Sequence, residues 1–128
     1  MDIILGGMYQ GKLEYAINKY NLNSSDIYYC EKNSTDIDLS KKIIYKFNLY
    51  IYALLKNNID PVTYILNNIN KYLDNVIVVE EIGSGVVPMD KMDRLYRDKV
   101  GVIMNNFAKS ANSVVRIFCG LEEKLKWN

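Results

Sequence analysis

The residues best equipped for chemistry lie together near the start of the chain, Ile3-Ile4-Leu5-Gly6-Gly7-Met8-Tyr9-Gln10-Gly11-Lys12-Leu13. A short apolar run leads into a glycine-containing loop, a lysine follows the last glycine, and a helical pattern then begins. The spacing G-x-x-x-x-G-K between a strand and a helix is that of a phosphate-cradling P-loop. Such a cradle turns backbone N–H groups inward on a polyanion, in conformations that glycine tolerates best. The unpaired N–H groups and positive dipole end of the following helix add to it. Gly6, Gly7, Met8, Tyr9, Gln10, Gly11, Lys12 and Leu13 are therefore the candidate nucleotide-binding set. Lys12 is the first catalytic candidate, a compact positive charge for the β- and γ-phosphates. One position departs from the pattern: a P-loop carries a Mg²⁺-binding serine or threonine hydroxyl after the lysine, and this chain has Leu13. An ordinary glycine-rich turn between strand and helix is the alternative.

The elements that position this loop follow from hydrophobic periodicity. Leu13, Ala16, Ile17 and Tyr20 recur at helical spacing and predict a helix over residues 12–20. Residues 26–30 read as a second strand, 31–41 as a polar aperiodic loop, and Ile43-Ile44 as a brief third strand. A helix carrying Phe47, Tyr50, Ile51, Leu54 and Leu55 ends near Asn57. Asp60-Pro61 restarts helix with a capping carboxylate and a proline at the first helical position. Its buried face is expected to run through Val62, Ile65, Leu66, Ile69 and Tyr72. Val76-Ile77-Val78-Val79 has the continuous apolar character of a strand covered on both faces. A loop over residues 80–88 leads to a long helix from about Asp90 to Lys109, with Met92, Leu95, Tyr96, Val100, Ile103 and Phe107 as its core stripe. Ser113 to Cys119 is the last expected strand, and Glu122 to Asn128 a short polar tail.

This alternation predicts a three-layer α/β fold with a mainly parallel sheet, in one domain spanning residues 1–128. In such sheets ligands bind outside the carboxyl ends of the strands. The P-loop and the 80–88 loop both lie at such ends and are expected to face one another.

Composition narrows the chemistry. A formal net charge of +1 over 128 residues gives no electrostatic case for nucleic acid. No apolar run approaches the ~20 residues of a membrane span, and no signal peptide is read before the first strand. The two cysteines, Cys30 and Cys119, have no metal spacing, so a reduced cytoplasmic protein is expected. The chain has no histidine, which removes imidazole as base, nucleophile or metal ligand.

The segment Glu81-Ile82-Gly83-Ser84-Gly85-Val86-Val87-Pro88, continuing to Arg94, Arg97-Asp98 and Gly101, resembles a family pattern. It is similar to the E-V-G-x-G-I-V-P…R-x-x-R-D-x-x-G stretch of the bifunctional adenosylcobinamide kinase/adenosylcobinamide-phosphate guanylyltransferases of cobalamin synthesis. The family's opening G-G-x-x-x-G-K-S is met by Gly6 to Leu13, and its closing strand by Gly120 to Lys126. The resemblance implies a RecA-like P-loop fold, assembly as a homo-oligomeric trimer, and a corrinoid substrate. It also implies phosphorylation of the aminopropanol hydroxyl of adenosylcobinamide by ATP or GTP with Mg²⁺, then GMP transfer through a guanylylated histidine. The chain departs from the pattern in four places. Residues 31–42 stand where the family carries its histidine, Tyr45 falls at a Walker-B-like aspartate, Leu13 replaces the P-loop hydroxyl, and Met104-Asn105 replace an N-Q pair.

Glu81, at a strand's carboxyl end and matching the family's glutamate, is a second catalytic candidate for metal or substrate-hydroxyl positioning, with a solvated loop charge as the alternative. With the usual ligands replaced, Glu80 or Glu81, and Glu81 first, is the candidate Mg²⁺ ligand. Glu80 is its neighbour, and since adjacent residues leaving a strand point opposite ways, only one is expected to face the site. Gly83, Gly85, Arg94, Arg97 and Asp98 are substrate or supporting candidates. Gly83 and Gly85 alternatively serve loop geometry, and Arg94 with Asp98 an i,i+4 surface pair. Tyr9 is either a base-stacking residue or an exposed loop aromatic. Two functions remain open: a kinase-type phosphotransferase without the guanylyltransferase step, and a non-catalytic paralogue that binds nucleotide or corrinoid or serves in assembly.

Overall fold

A computed structural model describes residues 1–81 and 90–127. Six strands are described: β1 (Asp2–Gly6), β2 (Ile27–Tyr29), β3 (Ile43–Tyr45), β4 (Val76–Glu80), β5 (Ser113–Phe118) and β6 (Leu121–Trp127). They form one sheet in the order β2-β3-β4-β1-β5-β6, parallel except for β6, which runs antiparallel to β5. The helices are α1 (Lys12–Tyr20), α2 (Phe47–Lys56), α3 (Pro61–Leu66) and α4 (Lys91–Ser110).

Strand parity creates the layers. Ile3, Ile77, Val79 and Val114 point to one face, where Phe47, Tyr50 and Ile51 of α2, Ile65 of α3 and Ile103 and Phe107 of α4 cover them. Ile4, Val76, Val78, Val115 and Ile117 point to the other face, covered by Ala16 of α1. Because the central strands are buried on both sides, their sequences are apolar runs and do not alternate. The ring centroids of Phe47 and Phe107 lie 5.5 Å apart in a stacked arrangement that fastens α2 to α4. The expected three-layer, mainly parallel α/β architecture is the one found, and it is that of a P-loop NTPase-like fold. β1 lies between β4 and β5, so the carboxyl ends of three strands converge beside the Gly6–Lys12 loop.

Three expectations are corrected. The helix begun at Pro61 stops at Leu66 and does not run on to Tyr72. The Asn68 side-chain amide donates to the carbonyl of Tyr64 at 2.8 Å, while its own N–H turns to Ile65 at 3.0 Å. That local alternative to helical bonding tightens the chain into a 3₁₀ turn over Ile69–Tyr72. Leu95, expected in the core stripe of α4, is 43% exposed. The polar tail is strand β6: Cys119 and Gly120 take φ of 52° and 76°, the paired left-handed geometry that closes a two-residue hairpin. Cys119 is consequently exposed, whereas Cys30 is buried.

Asp60 caps α3 as expected, its carboxylate accepting from the Val62 N–H at 3.1 Å and the Thr63 hydroxyl at 2.9 Å. The Thr63 hydroxyl first, then the Val62 N–H and Lys99, hold the Asp60 carboxyl below its ordinary pKa. A carboxyl depressed in the folded state adds stability above its unfolded pKa and loses it as pH falls through the lowered value. Asp60→Ala is therefore expected to cost about 1 kcal/mol at neutral pH. In urea unfolding the gap should shrink as pH is taken down through the carboxylate range.

Candidate functional site

The loop after β1 is shaped by two left-handed residues, Tyr9 at φ 61° and Gly11 at φ 86°. Between them Gln10 ties the loop to the β5–β6 turn. Its side-chain oxygen accepts from the Cys119 N–H at 2.5 Å, and its carbonyl from the Gly120 N–H at 3.1 Å. The loop is thus braced from a hairpin more than a hundred residues away. Lys12 opens α1 and is only 4% exposed, with its ammonium donating to the Gly7 carbonyl at 2.6 Å. Burial pushes the Lys12 pKa below the ordinary lysine value; Glu80 opposes this and Lys46 adds to it. The lysine sits at a cleft of about 970 Å³, lined by residues 8–15 together with Lys19, Tyr45, Lys46, Glu80 and Gly120.

Leu13 also lines this cleft, and it packs against the cluster of apolar residues under α1. That packing gives the unexpected residue a structural use. Tyr9 stands 96% exposed at the cleft's rim.

The two glutamates at the end of β4 part company. Glu81 donates its backbone N–H to the Gly6 carbonyl at 2.8 Å, which puts it beside the cradle. Its carboxylate is gripped by the Arg116 guanidinium at 2.8 and 3.1 Å, the two-pronged geometry arginine favours. Glu80 lines the cleft and lies 3.5 Å from the Lys46 ammonium. Its N–H donates at 3.1 Å to the side-chain oxygen of Asn48, a buried residue whose amide reaches the Tyr96 hydroxyl at 3.2 Å. Asn48 thus locks the end of β4 to α2 and α4. Arg116 on β5, Lys46 between β3 and α2, and Asn48 on α2 carry no motif in the sequence; the packing of these elements around β4 brings them here.

Arg94, Arg97 and Asp98 lie on α4, and none of them lines the cleft. Gly83 and Gly85 lie outside the described residues. Among the described residues no three His, Cys, Asp or Glu side chains gather as a metal site. Mg²⁺ demands near-octahedral oxygen ligation, usually with one or two carboxylates beside substrate phosphates. Here position 13 is a leucine, the end of β3 is Tyr45, Glu81 is engaged by Arg116, and Glu80 faces an ammonium. Among the described residues that donor set does not fit a protein-built Mg²⁺ site.

A parallel sheet whose β1 runs into a glycine loop and an α-helix defines a protein of the P-loop NTPase-like class. Within it, residues 52–125 match the family model described as cobinamide kinase / cobinamide phosphate guanyltransferase. The chain belongs to that family, which places it in cobalamin synthesis. The match begins inside α2, downstream of the glycine loop. A comparison with curated proteins gives no match. No helix among the described residues is long and apolar enough to cross a membrane.

Proposed function

We propose that the chain is a cobinamide-kinase-type phosphotransferase acting in the cytoplasm. It takes the γ-phosphate of ATP or GTP to the aminopropanol hydroxyl of adenosylcobinamide. The observation that carries this reading is the buried Lys12 ammonium, resting on the Gly7 carbonyl at the base of the cleft. An ammonium held by one neutral carbonyl exchanges it readily for a phosphate oxygen, a stronger charged acceptor. The amides of residues 6–12 and the start of α1 complete the cradle. Glu80, which lines the cleft beside Lys12 at the carboxyl end of β4, is the carboxylate we assign as base to the acceptor hydroxyl. No step is routed through a protein-held metal. The chain has no histidine, so the family's covalent GMP-enzyme cannot form on it, and the guanylyltransferase step is not part of the proposal. Assembly as a trimer is carried over from the family resemblance.

A second reading is favoured by Leu13, Tyr45 and the Arg116 clamp on Glu81, which leave the cradle without its usual catalytic partners. In that reading the chain binds nucleotide or corrinoid, or serves in assembly, without transfer. Incubating the protein with adenosylcobinamide and γ-labelled ATP or GTP separates the two. Label on the corrinoid, with none on the protein, is the expected outcome. Nucleotide binding without labelled corrinoid would leave only the second reading.

A further inference from the structure

Besides Lys12 the cleft is lined by Lys19 and Lys46, for which neither the P-loop pattern nor the family resemblance accounts, and Lys46 stands closest to the Glu80 carboxylate, at 3.5 Å. Lys46 follows β3 and lines the cleft with Lys12, whose pKa burial lowers and the Lys46 charge lowers further. Its backbone sits at φ 58°, ψ 49°, a left-handed conformation that a β-carbon makes costly and that glycine or asparagine would fill more cheaply. Strain of this kind persists where the surroundings enforce it and clusters at ligand sites. Two further observations concern the same place. α1 and α2 both start at the cleft, from Gly11 and Lys46, and neither has a side-chain cap; α3 and α4 start elsewhere and are capped by Asp60 and Asp90. Among the described residues Glu14 and Glu80 are the carboxylates that line the cleft, against three lysines, Lys12, Lys19 and Lys46, so cations outnumber anions there.

We propose that Lys46, with the uncapped start of α2, is a second polyphosphate-binding site in the cleft. It neutralises the phosphate chain in the place where a protein-held Mg²⁺ would otherwise do so. The ligand class is a nucleoside polyphosphate whose phosphates span Lys12 and Lys46. Glu80 releases Lys46 on binding, which leaves its carboxylate free for the acceptor hydroxyl. The inference deepens, and rests on, the phosphate-cradle reading of Lys12. Its consequence is that nucleotide affinity depends little on Mg²⁺ and strongly on Lys46.

The test is calorimetric titration of the full chain with ATP and GTP, in Mg²⁺ and in EDTA. It compares the parent with Lys46→Gly, Lys46→Gln and Lys12→Met, and reads thermal melting alongside. Glycine suits the left-handed position, so Lys46→Gly is expected to melt at or above the parent temperature. Its nucleotide affinity in EDTA is expected to fall about 10- to 100-fold, the effect of losing one charge-assisted contact. Lys46→Gln, which keeps a long polar side chain without the charge, should show the same loss. The parent's affinity in EDTA should stay within about tenfold of that in Mg²⁺. Parent binding that vanishes in EDTA, or Lys46 variants that bind as the parent does, would overturn the inference. In either case loss of binding in Lys12→Met would leave the cradle reading standing. A parent that binds neither nucleotide in either buffer overturns both.

Discussion

Lys12→Met is expected to abolish useful nucleotide binding while leaving the folded protein as stable as the parent or more so. The reason is that Lys12 carries a penalty in the empty cleft. It is 4% exposed, and among the described residues its ammonium has a single hydrogen-bond acceptor, the Gly7 carbonyl. Burial lowers its pKa, with Glu80 and Glu81 offsetting part of the effect and Lys46 adding to it. For a base, a lowered folded-state pKa means that the unfolded chain holds the proton more tightly. The native state is therefore disfavoured below the lowered value, and that cost is relieved as pH rises through it toward the ordinary lysine value. Methionine has a similar length, carries no charge to desolvate, and leaves Gly7 partly open to water. Binding behaves in the opposite sense. A phosphate oxygen in the cleft would lose its buried cationic partner, at a cost of about 2–4 kcal/mol, which is about 30- to 1,000-fold in Kd. Calorimetry and thermal melting on the same preparations check both halves. A clear drop in melting temperature would make Lys12 a structural residue and remove the principal support for the cradle.

The pairing of low stability with function at Lys12 and Lys46 also explains which parts of the molecule could be read from the sequence. The glycine loop was legible because its chemistry is local, with strand, glycine spacing and the start of the helix all inside the eleven residues from Ile3 to Leu13. Val76–Val79 was legible because burial on both faces leaves an unbroken apolar run. Asp60-Pro61 was legible because a cap is a matter of adjacent residues. Strand β6 was not, since every side chain from Leu121 to Leu125 is exposed and no alternation betrays a buried face. Its pairing comes from β5 and from the turn at Cys119-Gly120. The division of labour between Glu80 and Glu81 was legible only as a parity rule that one of them faces inward. Choosing between them takes the register of β1 against β4 and β5. That register sets Gly6 beside Glu80 on one side and Ile117 on the other, with Arg116 next along the strand to meet Glu81. Lys46 was passed over because nothing in the residues around it marks a lysine that must sit in a left-handed turn.

The same register makes Gly6 the most sensitive glycine among those described, and three substitutions should show it. Gly6→Ala is expected to cost about 3 kcal/mol or more, the upper end of overpacking effects, and to lose nucleotide binding. A β-carbon at Gly6 would stand 2.6 Å from the carbonyl oxygen of Ile117, a backbone atom of the neighbouring strand. No side chain can swing aside to relieve that contact, so β1 and β5 must separate at their carboxyl ends. Both ends carry the site. Gly6 leads into the cradle and accepts from the Glu81 N–H, while β5 leads to the Cys119-Gly120 turn that braces Gln10. Gly7→Ala meets only the Gln10 side chain, at 3.6 Å, and is expected to fold normally. Gly101→Ala lies in α4 with nothing within 4 Å of the added carbon, and is expected to stabilise by about 0.5–1 kcal/mol through helix propensity. Denaturant unfolding of the three, with nucleotide titration of each, checks the order. If Gly6→Ala were as stable as Gly7→Ala, close strand approach would not be what glycine supplies there. The requirement at the head of the loop would then be conformational, as it is at Gly11.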